Sequence, residues 1–243
     1  MRFQFFEFND LPWLPTVLRN GVTRYLSAAY RGLPAPRKWA ECIALAMDKQ
    51  STDTLIDLCS GDGGPLELVQ NELLALGKTK LKVIRTDLFP MAGVIWVDAR
   101  CVPKSLDGVR TMFAGFHHFA PKDARAILID ARDSAQGICI FEATRRAPVP
   151  LLMMLLTPLL ALVVTLRIRP LTWSQILFTY LIPVLPLLIG FDGFVSCLRT
   201  YTVEELREMT ADLATPSYEW QALDIQFPGV PFAFPTLLGR VKP

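Results

Sequence analysis

Histidine is nearly absent: of 243 residues, only His117 and His118 carry an imidazole. The five cysteines (Cys42, Cys59, Cys101, Cys139 and Cys197) are odd in number and scattered, with no CxxC pair among them. Such a set offers no zinc-ligand spacing, so no metal is expected. It also excludes a disulfide scaffold, and reduced thiols in a cytosol-facing domain are the simplest account. A dominant charge is missing too. With 25 basic residues against 23 acidic ones, no strong field favours nucleic acid or another polyanion. The opening segment, MRFQFFEFND, carries Glu7 and Asp10 where a cleavable signal needs an apolar run, so no signal is expected. Internal repeats and low-complexity tracts are lacking as well.

What is present divides the chain into four parts. Residues 1–36 form an N-terminal cap, with Phe3, Phe5, Phe6 and Phe8 before Trp13, then a basic amphipathic stretch over Thr16–Arg31, punctuated by Pro34 and Pro36. Residues 37–148 alternate helical and strand patterns. Helices are predicted over Arg37–Gln50, Leu66–Leu76 and Lys122–Ser134, and strands over Thr54–Cys59, Leu81–Thr86, Val94–Val97, Val109–Phe113 and Gly137–Ala143. This alternation predicts an α/β fold with a parallel sheet covered on both faces. Residues 149–190 form an apolar window, and residues 191–243 return to ordinary polarity. There, Thr202 and Glu205 make a capping box, and strands are predicted over Tyr218–Ile225 and Phe232–Val241.

The chemistry concentrates at Asp57-Leu58-Cys59-Ser60-Gly61-Asp62-Gly63-Gly64-Pro65, directly after the first strand and opening a helix. Glycines there let a ligand approach the backbone, and a helix N-terminus offers N–H groups to an anion. The dinucleotide pattern GxGxxG is lacking, because Leu66 stands three residues after Gly63, so the spacing disfavours NAD or FAD. A tight strand–helix turn without a ligand is the plainer alternative.

The chain resembles the class I S-adenosylmethionine-dependent methyltransferases over roughly residues 37–145 and again over 199–241. Asp57–Gly63 looks like the family's first motif, with Cys59 standing where a glycine is usual and Gly61 and Gly63 in register. The resemblance implies a Rossmann-like, seven-stranded, mostly parallel sheet with helices on both faces. It implies S-adenosyl-L-methionine as cofactor, held by Asp57, Cys59, Ser60, Gly61, Asp62 and Gly63. Asp87, at the end of the second strand, would grip the ribose hydroxyls, a carboxylate being able to accept two hydrogen bonds from a cis-diol, with Leu88 beside it in the cofactor site. Asp98 and Ala99 would read the adenine edge. The segment Met112–Phe119, with Phe113, resembles the family's stretch after strand four, where many small-molecule members carry a His-His pair. Both strand-end acids also admit a plain turn or cap role.

Methyl transfer asks mainly for in-line positioning, and for a base only where the acceptor must lose a proton. His117 and His118 are candidates for that catalytic role, against packing of the loop. Glu142 is another, against a salt bridge to Arg145 or Arg146.

The 42 residues from Val149 to Gly190 carry two charges, Arg167 and Arg169. Two hydrophobic helices are expected, Val149–Leu166 and Leu171–Gly190, about 27 and 30 Å long at ~1.5 Å per residue. That is near the ~30 Å hydrocarbon thickness. Pro158, Pro183 and Pro186 interrupt them, and the two arginines at the turn suit a hairpin entering one leaflet better than a plain two-pass anchor. A lid over the active site or a dimer interface is the soluble alternative. With the aromatic cap, this hairpin is expected to wall a greasy acceptor site. The expectation is a membrane-associated methyltransferase of a lipophilic small molecule (isoprenoid, quinone or lipid), contacting membrane lipid but not nucleic acid, with its catalytic domain facing the cytoplasm or wholly cytoplasmic. A methyltransferase of a protein or soluble molecule, using the hairpin only as anchor, is one alternative. A non-catalytic membrane scaffold is another.

Overall fold

The computed structural model describes residues 2–31 and 36–242, without the Pro36 side chain. The turn expected at Pro34 lies outside the described residues. Seven strands form one sheet: β1 (Thr54–Leu58), β2 (Lys82–Asp87), β3 (Ile95–Trp96), β4 (Val109–Phe113), β5 (Ile138–Phe141), β6 (Tyr218–Gln226) and β7 (Ala233–Val241). Their order is β3-β2-β1-β4-β5-β7-β6, with β7 antiparallel to both neighbours and the other pairings parallel. The α/β sheet expected from the alternation is therefore present. The third strand is shorter than predicted, and its Ile95 and Trp96 are exposed.

The central strands are buried on both faces, which explains their near-continuous apolar runs. On one face, α2 (Pro36–Gln50) and α3 (Leu66–Ala75) bury Trp39, Ile43, Met47, Val69 and Leu73 against the sheet. On the other, α4 (Pro121–Asp133) and α9 (Val203–Thr210) bury Ile127, Leu128 and Leu206. The Thr202–Glu205 capping box opens α9 with both of its hydrogen bonds formed.

The apolar window departs from two long helices. It folds as α5 (Pro148–Met154), α6 (Thr157–Thr165), α7 (Trp173–Ile176) with a π-helical turn over Leu177–Leu181, and α8 (Val184–Arg199). The chain bends by 53° between α5 and α6 and by 78° before α8. Pro158 and Pro183 lie at these breaks, where a missing N–H and a crowding ring stop the helix. No single helix among the described residues is long and apolar enough to cross a membrane, so the two long hydrophobic helices expected at near-membrane length are replaced by bent pairs. α8 also runs nine residues past Gly190, so the window does not end where its composition changes.

These short helices make a third core with α1 (Thr16–Tyr30). Ala161, Val164, Leu185, Leu188 and Ile189 pack with Leu14, Val22, Tyr25 and Ala28. Gly21 makes the close approach possible: a Cβ there would meet Leu185 at 2.8 Å. The opposite face of the window leaves Leu152, Leu155, Leu159, Leu181 and Leu187 exposed.

Candidate active site

β1 delivers the chain into a tight turn at the point where the sheet order reverses, with β2 on one side and β4 on the other. Such a switch point leaves a crevice outside the carboxyl ends of the strands. Cys59 takes a left-handed φ of +56°, followed by Gly61 at +51° and Gly63 at +95°. A non-glycine residue in that conformation costs about 1 kcal/mol, so Cys59 stands in a strained position of the turn. The Ser60 N–H donates to the Thr86 carbonyl (2.9 Å), and the Gly61 N–H donates to Asp87 Oδ2 (2.9 Å). Asp87 Oδ1 accepts from the Phe89 N–H at 2.8 Å, so both carboxylate oxygens are oriented by backbone.

A cavity of about 490 Å³ opens above this turn, a size typical of small-molecule sites. Cys59, Ser60, Gly61, Asp62, Asp87, Leu88, Asp98, Ala99, Phe113 and His118 all border it. Asp57 and Gly63, expected to touch a ligand, do not. The Asp57 carboxyl is buried beneath the turn and accepts from the Thr111 hydroxyl at 2.9 Å, while its carbonyl accepts from the Thr86 hydroxyl. Burial pushes this carboxyl up to about 7, against the hydrogen bond from Thr111. Gly63 faces away, toward Arg85. Asp98 keeps its charge through Arg100, whose guanidinium donates to it and holds its pKa below the usual range.

The far wall comes from the N-terminal segment: Asn9, Asp10, Arg19, Asn20, Thr23 and Tyr30. The sequence marks this segment as a cap, but gives no spacing that singles out which of its residues turn inward. The window of residues 149–190, expected to wall the acceptor site, does not border the cavity and reaches it only through α1.

Beyond β4, a short 3₁₀ turn over Phe116–His118 carries the histidine pair. His117 is 2% exposed and lies outside the cavity. Its N–H donates to Glu142 Oε1 (2.9 Å), and its Nδ1 sits 2.7 Å from Glu142 Oε2. Glu142 thus serves His117. Arg145 and Arg146, its alternative partners, pair instead with Asp224 and Glu205. His118 faces the cavity beside Asp10, with Nδ1 2.7 Å from Oδ1. Burial lowers the His118 pKa, but the Glu7 and Asp10 carboxylates outweigh it and raise the value to about 9. Burial would raise Asp10 in turn, but His118 and Arg199 hold it well below the carboxylate range. The fold brings Glu7, remote in sequence, beside both histidines, with one ligand atom from each within 4.8 Å of the others.

No family model matches the chain, and no curated protein matches it. Among solved structures, it resembles an O-methyltransferase of neocarzinostatin biosynthesis, solved with S-adenosylmethionine and a hydroxy-methyl naphthoic acid (14% identity, 82% of this chain and 52% of that one, TM-score 0.46). It resembles human N-acetylserotonin methyltransferase, solved with S-adenosylmethionine (13%, 83% and 51%, TM-score 0.42). It also resembles a candidate zinc-dependent alcohol dehydrogenase from Rhodobacter sphaeroides (10%, 93% and 98%, TM-score 0.49). The chain spans about half the length of the two methyltransferases.

Proposed function

We propose that the protein is an S-adenosylmethionine-dependent methyltransferase acting on a lipophilic small molecule at a membrane surface. One observation carries the reading: the glycine turn, Asp87, Asp98 and Phe113 converge on a single cavity at the switch point of the sheet. The cofactor supplies an electrophilic methyl group. Asp87, already oriented by two backbone N–H groups, keeps lone pairs for a ribose diol. Asp98 and Ala99, which border the same cavity, would read an adenine edge. Asp62 and Asp87 give the cavity the negative charge that suits a sulfonium and an amino group. The acceptor's reacting atom approaches from the end of the cavity that His118, Asp10 and Phe119 border.

The acceptor's lipophilic character rests on the surroundings. Exposed Phe6 packs against Phe191 of α8, at 5.6 Å between ring centroids, so the aromatic N-terminus continues the apolar outer face of α5–α8. So large an apolar surface marks contact with a bilayer or partner. Arg167 and Arg169 at its tip and the exposed Trp173 suit a headgroup layer. The five free cysteines suit a cytoplasmic leaflet.

Calorimetry with S-adenosylmethionine and S-adenosylhomocysteine tests the cofactor, with NADH as comparator. Binding of both adenosyl ligands is the expected result. Binding of NADH alone overturns the reading. An acceptor screen in detergent micelles, following transfer of labelled methyl groups to phenols, quinols and prenyl lipids, then tests the substrate class.

A further inference from the structure

We propose that Glu7, His117 and His118 form a binding site for a borderline divalent metal ion of the zinc class, open on one side to the cavity. The inference does not rest on the methyl-transfer reading.

The donors converge at suitable distances. Glu7 Oε1 lies 3.8 Å from His117 Nε2, and Glu7 Oε2 lies 3.7 Å from His118 Nδ1. One ligand atom from each residue can be chosen so that all lie within 4.8 Å of one another. A point equidistant from three donors 4.8 Å apart lies about 2.8 Å from each, so the side chains would have to close by up to about 0.8 Å to reach zinc–nitrogen and zinc–oxygen distances. Two imidazoles and one carboxylate favour zinc, cobalt or ferrous ions over magnesium or calcium.

The same atoms make no well-directed hydrogen bond, although Asp10 lies 2.7 Å from His118 Nδ1 and Arg199 3.2 Å from Glu7 Oε1. Glu7 Oε1, His117 Nε2 and His118 Nδ1 are buried without a hydrogen bond, although Glu7 and His117 are each only 2% exposed. Unsatisfied buried polar atoms are costly and uncommon. Here three of them face one point. The contact of His118 Nδ1 with Asp10 is close, but its angle makes no hydrogen bond.

The outer shell prepares His117 for ligation. Its Nδ1 proton goes to Glu142 Oε2, leaving the lone pair on Nε2 toward the cluster. Carboxylate–histidine–metal arrangements fix the tautomer in this way. Ser196 donates to Glu7 Oε2 at 3.0 Å and orients the carboxylate.

Formal charge points the same way. Glu7, Asp10, Glu142 and Asp192 oppose Arg2 and Arg199 around the pair, with Arg19 also acting on Asp10, so acids outnumber bases when the histidines are neutral. Two protonated rings stacked 4.3 Å apart would repel each other, a repulsion that one cation held between neutral rings avoids. Arg199 touches Glu7 Oε1 at 3.2 Å without a hydrogen bond, so a lone pair stays available. Because His118 and Asp10 border the cavity, the ion has an entry path and a position open to a cavity ligand.

The test uses full-length protein without a polyhistidine tag, stripped with chelator and titrated with Zn²⁺ against a chromophoric chelator. One equivalent should bind, and Co²⁺ should give a visible d–d spectrum free of thiolate charge transfer. Glu7→Gln and His118→Gln should each weaken Zn²⁺ binding by at least about 100-fold, and Glu142→Gln by about 10–100-fold. Cys101→Ser should change nothing. Circular dichroism checks that each variant is folded, and where one is not, the wild-type titration and Co²⁺ spectrum decide. Wild-type protein that takes up neither ion overturns the site. So does a thiolate signature, or wild-type affinity in folded Glu7→Gln.

Discussion

The Gly61 N–H donates to Asp87 Oδ2 at 2.9 Å and so ties the glycine turn after β1 to the end of β2. The carboxylate that would hold a ribose also holds the loop that would cradle the rest of the cofactor. Asp87→Ala removes ligand contacts and the loop's anchor together. Charge-assisted hydrogen bonds contribute about 1.5–3 kcal/mol each, so S-adenosylmethionine affinity should fall by at least about 10-fold. Calorimetry on folded variant protein checks this. Unchanged affinity would remove Asp87 from the site.

Asp57 sits below the same turn with its carboxyl raised to about 7 by burial. Between the unfolded value of 3.8 and about 7, the native state holds a proton that the unfolded state has lost. Stability contributed by this group therefore falls as pH rises through that window and levels off above it. The full change is of order a few kcal/mol, at about 1.36 kcal/mol per pKa unit. Asp57→Asn keeps an acceptor for Thr111 and cannot ionise. Urea midpoints from pH 5 to 8 should decline less in the variant than in wild type, and parallel curves would refute this account.

The sheet was legible because its strands obey local rules. β1 and β5 are short apolar runs closed by turn residues, and Thr202 and Glu205 signal the start of α9 within four residues. Cavity residues that directly follow strand ends, such as Asp87 and Asp98, were legible for the same reason. Asp57 and Gly63 were not distinguishable from true lining residues: Asp57 is the penultimate residue of β1 and points beneath the turn, and the placement of Gly63 depends on the φ values of the turn rather than on spacing. Glu7 and Asp10 carry no local signal at all. They meet His117 and His118 only because Asp192 on α8 accepts the Phe8 and Asn9 N–H groups and Arg199 pairs with Asp10. Hydrophobicity likewise reported that the 149–190 window was apolar, but not that one face of it packs on α1.

Arg110 shows how a polar residue survives in a central strand. It is 1% exposed in β4, yet its guanidinium reaches Asp130 at 2.6 Å and Gln136 at 2.8 Å. Arg110→Met keeps much of the volume and strands both partners. Breaking a buried pair costs about 3–5 kcal/mol. The lower end applies here, because Asp130 retains 24% exposure. Denaturant unfolding should show that loss, and adding Asp130→Asn should restore part of it. A neutral Arg110→Met would mean that the pair contributes nothing to the fold.

Membrane contact is best tested on the outer face of the window rather than by removing it. Ala161, Val164 and Leu185 pack on α1, whose Arg19, Thr23 and Tyr30 border the cavity, so a deletion would disturb the site as well as the surface. Leu155, Leu159 and Leu181 are instead 62%, 66% and 70% exposed. Changing all three to Ser should leave thermal stability and cofactor affinity close to wild type. Burying a leucine side chain contributes about 1.5–3 kcal/mol, so even partial insertion of three should make vesicle partitioning at least about 100-fold stronger in wild type than in the variant. Flotation with phosphatidylcholine–phosphatidylglycerol vesicles measures it. If wild-type protein stays monomeric and unbound while the triple variant behaves identically, the face does not meet a bilayer.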